Sequence, residues 1–292
     1  MTDTHSSAGP ERSGSLLERL DSEFSDIELR PLEGQRFLES HAVFEARSNQ
    51  RRRILAWFRD RIPSLVARRS SFGALSVGCG AGPLDIPIAK WIAECTDKLV
   101  YAGVNPNGVE CEEFAKAFAN QRIGDAELEI TATTFEEFDA TRSFELVHFV
   151  HSLYYMDDAA EALERARRMV APGGHLVVIH APEEELNDLA SRFYARLYGR
   201  QSLFAADVRD TLDRSGCKYE QARIEAEIDV TAFFNGDAEI GLALRDFILQ
   251  VESDELPRQV QEVVERHLRS IASERDGRWA IPHPVEVFVV EG

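Results

Sequence analysis

Gly78, Gly80 and Gly82 stand at alternate positions in the run Ala74-Leu75-Ser76-Val77-Gly78-Cys79-Gly80-Ala81-Gly82-Pro83-Leu84-Asp85. An apolar strand running into glycines and then a helix lets the backbone turn tightly and lets a ligand approach where a Cβ would clash. The helix that follows offers N–H groups and a positive dipole end, which suit an anionic group. The spacing excludes one ligand class: a dinucleotide turn of the form G-x-G-x-x-G needs glycine or alanine at position 83, and Pro83 stands there. Other chemistry-bearing residues are sparse. Cys79, Cys95, Cys111 and Cys217 form no C-x-x-C pair, so neither a disulfide framework nor a zinc site is expected, and a reducing cytoplasm is. Cys79 reads as a small side chain in the loop, because no base or low-pKa setting is visible beside it. His148 and His180 fall on strand candidates and read as structural, and Arg51-Arg52-Arg53 reads as a solvated helix face.

Alternating strand and helix signals position the loop. Strand candidates cover residues 73–78, 99–104, 126–132, 145–151 and 174–180, with helical stretches at about 84–95, 107–121 and 157–170 between them. Pro172-Gly173-Gly174 reads as a turn before the fifth strand. Such alternation predicts an α/β fold, a parallel sheet with helices on both faces. Ligands on these sheets sit at the carboxyl ends of the strands, near the switch in strand order. The glycine loop and the segment Val150–Tyr155 would both face that crevice. Residues 16–67 are helical in pattern, with Pro63 near a helix end. After residue 181 the pattern is helical to about 215, strand-like over 219–231, helical near 237–251 and 256–273, and strand-like again over 284–290.

Composition narrows the function classes. The 292 residues suffice for one large core, and 44% of them are hydrophobic. The net charge of −18, from 51 acidic and 33 basic residues, disfavours binding to a nucleic-acid backbone. No apolar run approaches the roughly 18 residues of a membrane helix, and the start Met1-Thr2-Asp3-Thr4-His5 lacks the features of a signal peptide. Residues 1–14 read as a disordered tail and residues 15–292 as a single domain.

The G-x-G-x-G form resembles motif I of class I S-adenosylmethionine (SAM) methyltransferases. Segment Phe144-Glu145-Leu146-Val147-His148-Phe149-Val150-His151-Ser152-Leu153-Tyr154-Tyr155 further resembles the fourth-strand motif of the histamine N-methyltransferase family. Ser76, where most SAM methyltransferases carry an acid, matches that family, and Gly216-Cys217-Lys218-Tyr219-Glu220, Asp229-Val230-Thr231, Gly241 and Asp246-Phe247 continue the similarity. The resemblance implies a doubly wound, mostly parallel seven-stranded sheet, with residues 15–70 and about 181–275 adding helical substrate-binding elements. It implies SAM as cofactor, held by Gly78, Gly80, Gly82, Asn105, Glu110, Val150 and a residue near Thr134 or Phe135. It places Phe44, Gln50, His151, Tyr155, Phe234 and His283 around the methyl acceptor.

The departures are informative. The family's ribose-binding acid falls on Asn105, and an amide there costs ~1 kcal/mol, near tenfold in affinity. Glu110 could compensate, although Asn105-Pro106 is equally readable as a turn after a strand. The glutamate that contacts histamine falls on Gln50, a glutamine contact on His151, an asparagine on His283, and two pocket tryptophans on Leu186 and Ala190. A wider, less aromatic pocket makes histamine an unexpected substrate. The expected acceptor is an amine of a small molecule or of a modified peptide or other natural product.

Methyl transfer needs mainly positioning, for which effective molarities reach roughly 10⁵–10⁸ M. An amine acceptor must also lose a proton, which costs about 4–5 kcal/mol at pH 7 for a pKa near 10.4. By the resemblance His151 and His283 would converge on the acceptor, either of them as base or orienting group. A hydroxyl acceptor, or a SAM-binding protein without catalysis, are the alternative readings. Oligomeric state is not legible in the chain.

Overall fold

The computed structural model describes residues 13–23, 27–66 and 69–292. The tail expected at residues 1–14 lies outside them except for its last two residues, which begin the first helix. In chain order the described helices are α1 (Ser13–Glu23), α2 (Gly34–Arg47), α3 (Gln50–Val66), α4 (Asp85–Ala93), α5 (Gly108–Ala119), α6 (Ala159–Met169), α7 (Glu185–Tyr198), α8 (Ala205–Arg214), α9 (Ala232–Asn235), α10 (Ala238–Leu249) and α11 (Arg258–Ile271). The strands are β1 (Arg69–Val77), β2 (Thr96–Val104), β3 (Ala126–Thr131), β4 (Phe144–Val150), β5 (Val170–His180), β6 (Tyr219–Ile224), β7 (Glu227–Asp229), β8 (Ser273–Arg275), β9 (Arg278–Pro282) and β10 (Val285–Glu291). The chain forms two compact units. A sheet unit holds Gln50–Glu183, Leu203–Ala226 and Pro284–Gly292, and a helical unit holds Met1–Asn49, Glu184–Ser202 and Glu227–His283.

In the sheet unit seven strands run in the order β3-β2-β1-β4-β5-β10-β6. All neighbours are parallel except β10, which is antiparallel to both β5 and β6. The near-continuous apolar runs of β4 and β5 follow from burial on both faces. Leu146, Val177, Ile179 and Val287 turn to the face covered by Phe58, Ile62, Ile88 and Phe114. Val147, Phe149, Leu176, Val178 and Phe288 turn to the face covered by Leu163, Ala166, Val208 and Leu212. This is the two-residue alternation of a pleated strand. Burying a side chain of the size of Phe58 or Ile62 contributes about 1.5–3 kcal/mol.

Chain order supplies the switch point, since β1 pairs with β2 on one side and with β4 on the other. Pro172-Gly173-Gly174 is not a turn ahead of the fifth strand but an irregularity inside it. The register jumps from Phe144 opposite Val170 to Leu146 opposite His175, and a Cβ on Gly174 would stand 2.7 Å from the Glu145 carbonyl oxygen. A bulge absorbs the extra residues while pairing continues on both sides.

The helical unit buries one face of α11. Val260, Val263, Val264, Leu268 and Ile271 repeat at three- and four-residue spacing and pack with Leu16, Leu20, Leu189 and Phe193. Helices α2 and α10 are clamped by charge. Asp246, 1% exposed, accepts from Arg36 Nε at 2.6 Å, from the Ser253 backbone N–H at 2.9 Å and from the Ser253 hydroxyl at 2.6 Å. The strand-like run over 219–231 divides: β6 joins the large sheet, and β7 joins a small sheet ordered β7-β9-β8. The hairpin of β8 and β9 was not expected. Asp276 and Gly277 both hold positive φ, 53° and 76°, as a tight two-residue turn between strands requires.

Candidate functional site

The carboxyl end of β1 forms a cradle in the sheet unit. Gly78, Gly80 and Gly82 hold φ of 73°, 53° and 77°, a region that favours glycine. Two of them are required by packing. A Cβ on Gly78 would meet Ser152 Cβ at 2.4 Å, and one on Gly82 would meet the Phe114 ring at 2.2 Å. Gly80 differs, because among the described residues, its chain neighbours aside, the one atom within 4 Å of its Cβ position is Glu110 Oε2 at 3.9 Å. Gly80 therefore keeps open space beside a carboxylate.

That carboxylate is held from the end of β2. Asn107 caps α5, accepting from Val109 N–H at 3.1 Å and Glu110 N–H at 3.4 Å, which sets Glu110 in the first turn at the positive helix end. The Asn105 amide nitrogen donates to Glu110 Oε2 at 2.8 Å. A carboxylate only accepts, so the amide nitrogen must face it, and the amide oxygen is left as an acceptor. Asn105 and Glu110 thus present adjacent acceptors beside the open glycine, a fit for neighbouring hydroxyls such as a sugar diol. Val150 ends β4 at the switch point and packs with Phe58 and its neighbours. Thr134 lies on an exposed loop after β3, where its hydroxyl accepts from Glu137 N–H at 3.3 Å, and Phe135 is buried edge-on against Phe149 at 5.5 Å.

Just past β4 the backbone is strained. His151 has φ of 51°, uncommon for a residue with a side chain and concentrated at functional positions. Its Nε2 lies 2.8 Å from Gln50 Oε1, and Gln50 is 7% exposed. An amide oxygen facing Nε2 accepts a proton carried there. Ser152 donates to the Val77 carbonyl at 2.6 Å and ties this bend to β1. Tyr155 is 76% exposed and stands edge-on to Tyr154 at 4.5 Å. His180, expected to be structural, is fully buried at the end of β5 with Nε2 on the Leu203 carbonyl at 2.9 Å.

The remaining expected residues belong to the helical unit. Phe44 packs against Phe247 at 4.7 Å and edge-on against His283 at 5.3 Å, and His283 Nδ1 lies 3.3 Å from the Ser48 hydroxyl. Burial pushes the His283 ring down to about 4, so the imidazole is neutral at pH 7. Phe234 stacks on Trp279 at 3.9 Å and 9°, with the Arg269 guanidinium 4.7 Å over its ring. Phe44 lies between Phe247 and His283, and Phe247 is the aromatic of this group that the sequence did not mark as a site residue. The helical spacing of Phe37, His41 and Phe44 on α2 was the available signal, since Phe37 and His41 also pack on Phe247, at 5.8 Å and 5.0 Å. His151 and His283 fall in different units.

A seven-stranded, mostly parallel sheet with a glycine cradle at its switch point defines a class I methyltransferase fold. The chain belongs to the methyltransferase-domain family, which matches residues 47–222. The likeness to histamine N-methyltransferases is borne out: the chain is 24% identical to that of Danio rerio over 281 residues, covering 88% of this chain and 95% of that one. Two solved structures share the fold. The plantazolicin methyltransferase BpumL in complex with SAH superposes with a TM-score of 0.52 at 13% identity, covering 96% of this chain and 100% of that one. The YcgJ protein from Bacillus subtilis gives 0.52 at 11% identity, covering 81% and 97%. No described helix is long and apolar enough to cross a membrane.

Proposed function

We propose that the chain transfers a methyl group from SAM to the nitrogen of an amine, carried by a small molecule or by a modified peptide or other natural product. The observation that carries this reading is the open Gly80 cradle with its Asn105–Glu110 acceptor pair, in a chain of the methyltransferase family. Gly78, Gly80, Gly82, Asn105, Glu110, Val150 and Thr134 would hold the cofactor, which supplies an electrophilic methyl on a sulfonium. Nitrogen as acceptor is supported by the likeness to histamine N-methyltransferases. A substrate other than histamine is supported by Gln50, a neutral amide turned to His151 where the resemblance implies a glutamate. It is further supported by Leu186, which lies in the core of the helical unit where a pocket tryptophan is implied.

The chain's own residues have two tasks. They exclude water and orient the amine, a task that the aromatic group Phe44, Phe247 and His283 of the helical unit suits. They also take up the amine proton, for which a neutral imidazole is the natural acceptor. His151, in contact with Gln50, and His283, held neutral by burial, are the candidate imidazoles. A cytoplasmic setting agrees with the four free cysteines. Calorimetry with SAM, followed by transfer of a labelled methyl to a panel of amines and phenols, tests the reading. Binding at micromolar SAM and labelled amine product are expected, whereas no binding at millimolar SAM overturns it and phenol-only labelling overturns the choice of nitrogen.

A further inference from the structure

A buried carboxylate beneath the glycine loop has no part in the reading above. Asp85, 3% exposed in the first turn of α4, accepts from the Tyr101 hydroxyl at 2.8 Å, and Ser76 and its own backbone N–H also bond it. The Tyr101 proton is spent on that bond, so the 2.9 Å contact between Tyr101 oxygen and His148 Nε2 is donated by the ring. His148 Nδ1 is buried without a partner, and a second ring proton would find no acceptor there. The imidazole 3.8 Å from Asp85 is therefore neutral, and among the described residues no arginine or lysine pairs with this carboxylate. Cys79, between the first two glycines, has its thiol pushed up by burial and next by Asp85. The positive end of α4 is thus already occupied by Asp85.

We propose that Asp85 makes the glycine cradle select its ligand by charge, favouring a cationic group at the loop over a neutral one of the same shape. The inference rests on the loop being the SAM cradle. SAM carries a sulfonium, and its demethylated product SAH is the neutral counterpart, so the same residue would favour release of product after transfer. A unit charge on the order of 10 Å away in a protein interior changes such an equilibrium about tenfold. Between pH 5 and 8 the other titratable groups facing Asp85 do not change charge. Tyr101 from β2 and Cys79 from the loop are pushed up, and His148 from β4 is pushed down to about 3. Asp85, raised to about 6 by burial, changes charge in that window.

Calorimetric titration of the full chain and of Asp85→Asn with SAM and with SAH, at pH 7.5 and pH 5, separates the outcomes. At pH 7.5 the variant is expected to bind SAM about tenfold more weakly and SAH within about twofold of the parent. The parent's preference for SAM should shrink at pH 5 while the variant's stays constant. Equal weakening of both ligands overturns the inference, as does a preference that ignores pH in the parent. If the variant does not fold, the parent's pH dependence against SAH decides alone. Failure of the parent to bind either ligand refutes the SAM cradle instead.

Discussion

Replacing Glu110 by glutamine removes the one formal charge of the acceptor pair while leaving its shape. Asn105 can still donate to the remaining side-chain oxygen, at the 2.8 Å now observed, so the loop and the α5 cap should persist. What is lost is charge assistance to a ligand hydroxyl. Such a bond contributes about 1.5–3 kcal/mol against about 1 for a neutral one. The difference, about 0.5–2 kcal/mol, predicts a roughly 2- to 30-fold weaker complex with SAH. Calorimetry with SAH and with its 2′-deoxy derivative measures it, and the penalty for deleting the hydroxyl should be smaller in Glu110→Gln than in the parent. Adding Asn105→Asp to Glu110→Gln exchanges acid and amide between strand end and helix, and affinity should return to within about threefold of the parent. Unchanged SAH affinity in Glu110→Gln, with an undiminished deoxy penalty, would show that this pair does not receive the sugar.

Three further outcomes are expected. Arg36→Leu strands the Asp246 carboxylate, 1% exposed, with Ser253 as its donor, and should cost about 3–5 kcal/mol of stability in urea denaturation; a loss under 1 kcal/mol on the order of a surface pair would contradict the clamp. His148 and His283 fold with rings pushed down to about 3 and 4, so the unfolded chain binds more protons below pH 6.5 and stability falls as pH drops from there. Asp85, raised to about 6, acts in the opposite sense between pH 6 and 4, so Asp85→Asn should steepen the acid loss, and a shallower profile in denaturation at pH 7 and pH 5 would refute the assignment. His151→Phe combined with His283→Phe should lower kcat at neutral pH and shift the pH–rate profile upward, whereas full turnover with an unchanged profile excludes both as proton acceptors.

Much of the fold was legible because its signals are local. Apolar runs of strand length between helical periods imply the parallel sheet, and each of the five strand candidates from residue 73 to 180 coincides with an observed strand to within four residues at either end. Where the reading failed, a longer-range contact overrode a local signal. Pro172-Gly173-Gly174 has turn composition, yet pairing of β5 with β4 on both sides keeps the chain extended through a bulge. The run over 219–231 has one strand-like pattern, but its halves pair with different partners, β10 and β9. The Asp276-Gly277 turn is a local hairpin signal, but it follows directly on the strong helical period of α11.

The sequence by itself determined the cradle: glycines at 78, 80 and 82 with Pro83 exclude the dinucleotide turn, because conformational freedom and ring closure are properties of single residues. It also determined which positions depart from the resembling family, among them Asn105, Gln50 and His151. Tertiary structure alone decided what those departures do. Only the folded chain brings the Asn105 amide to Glu110, closes Gln50 onto His151 from far along the sequence, and leaves Asp85 buried with donors and, among the described residues, no arginine or lysine partner. Charge, tautomer and hydrogen-bond direction depend on which groups share a low-dielectric space, and residues distant along the chain meet there only after the sheet has formed.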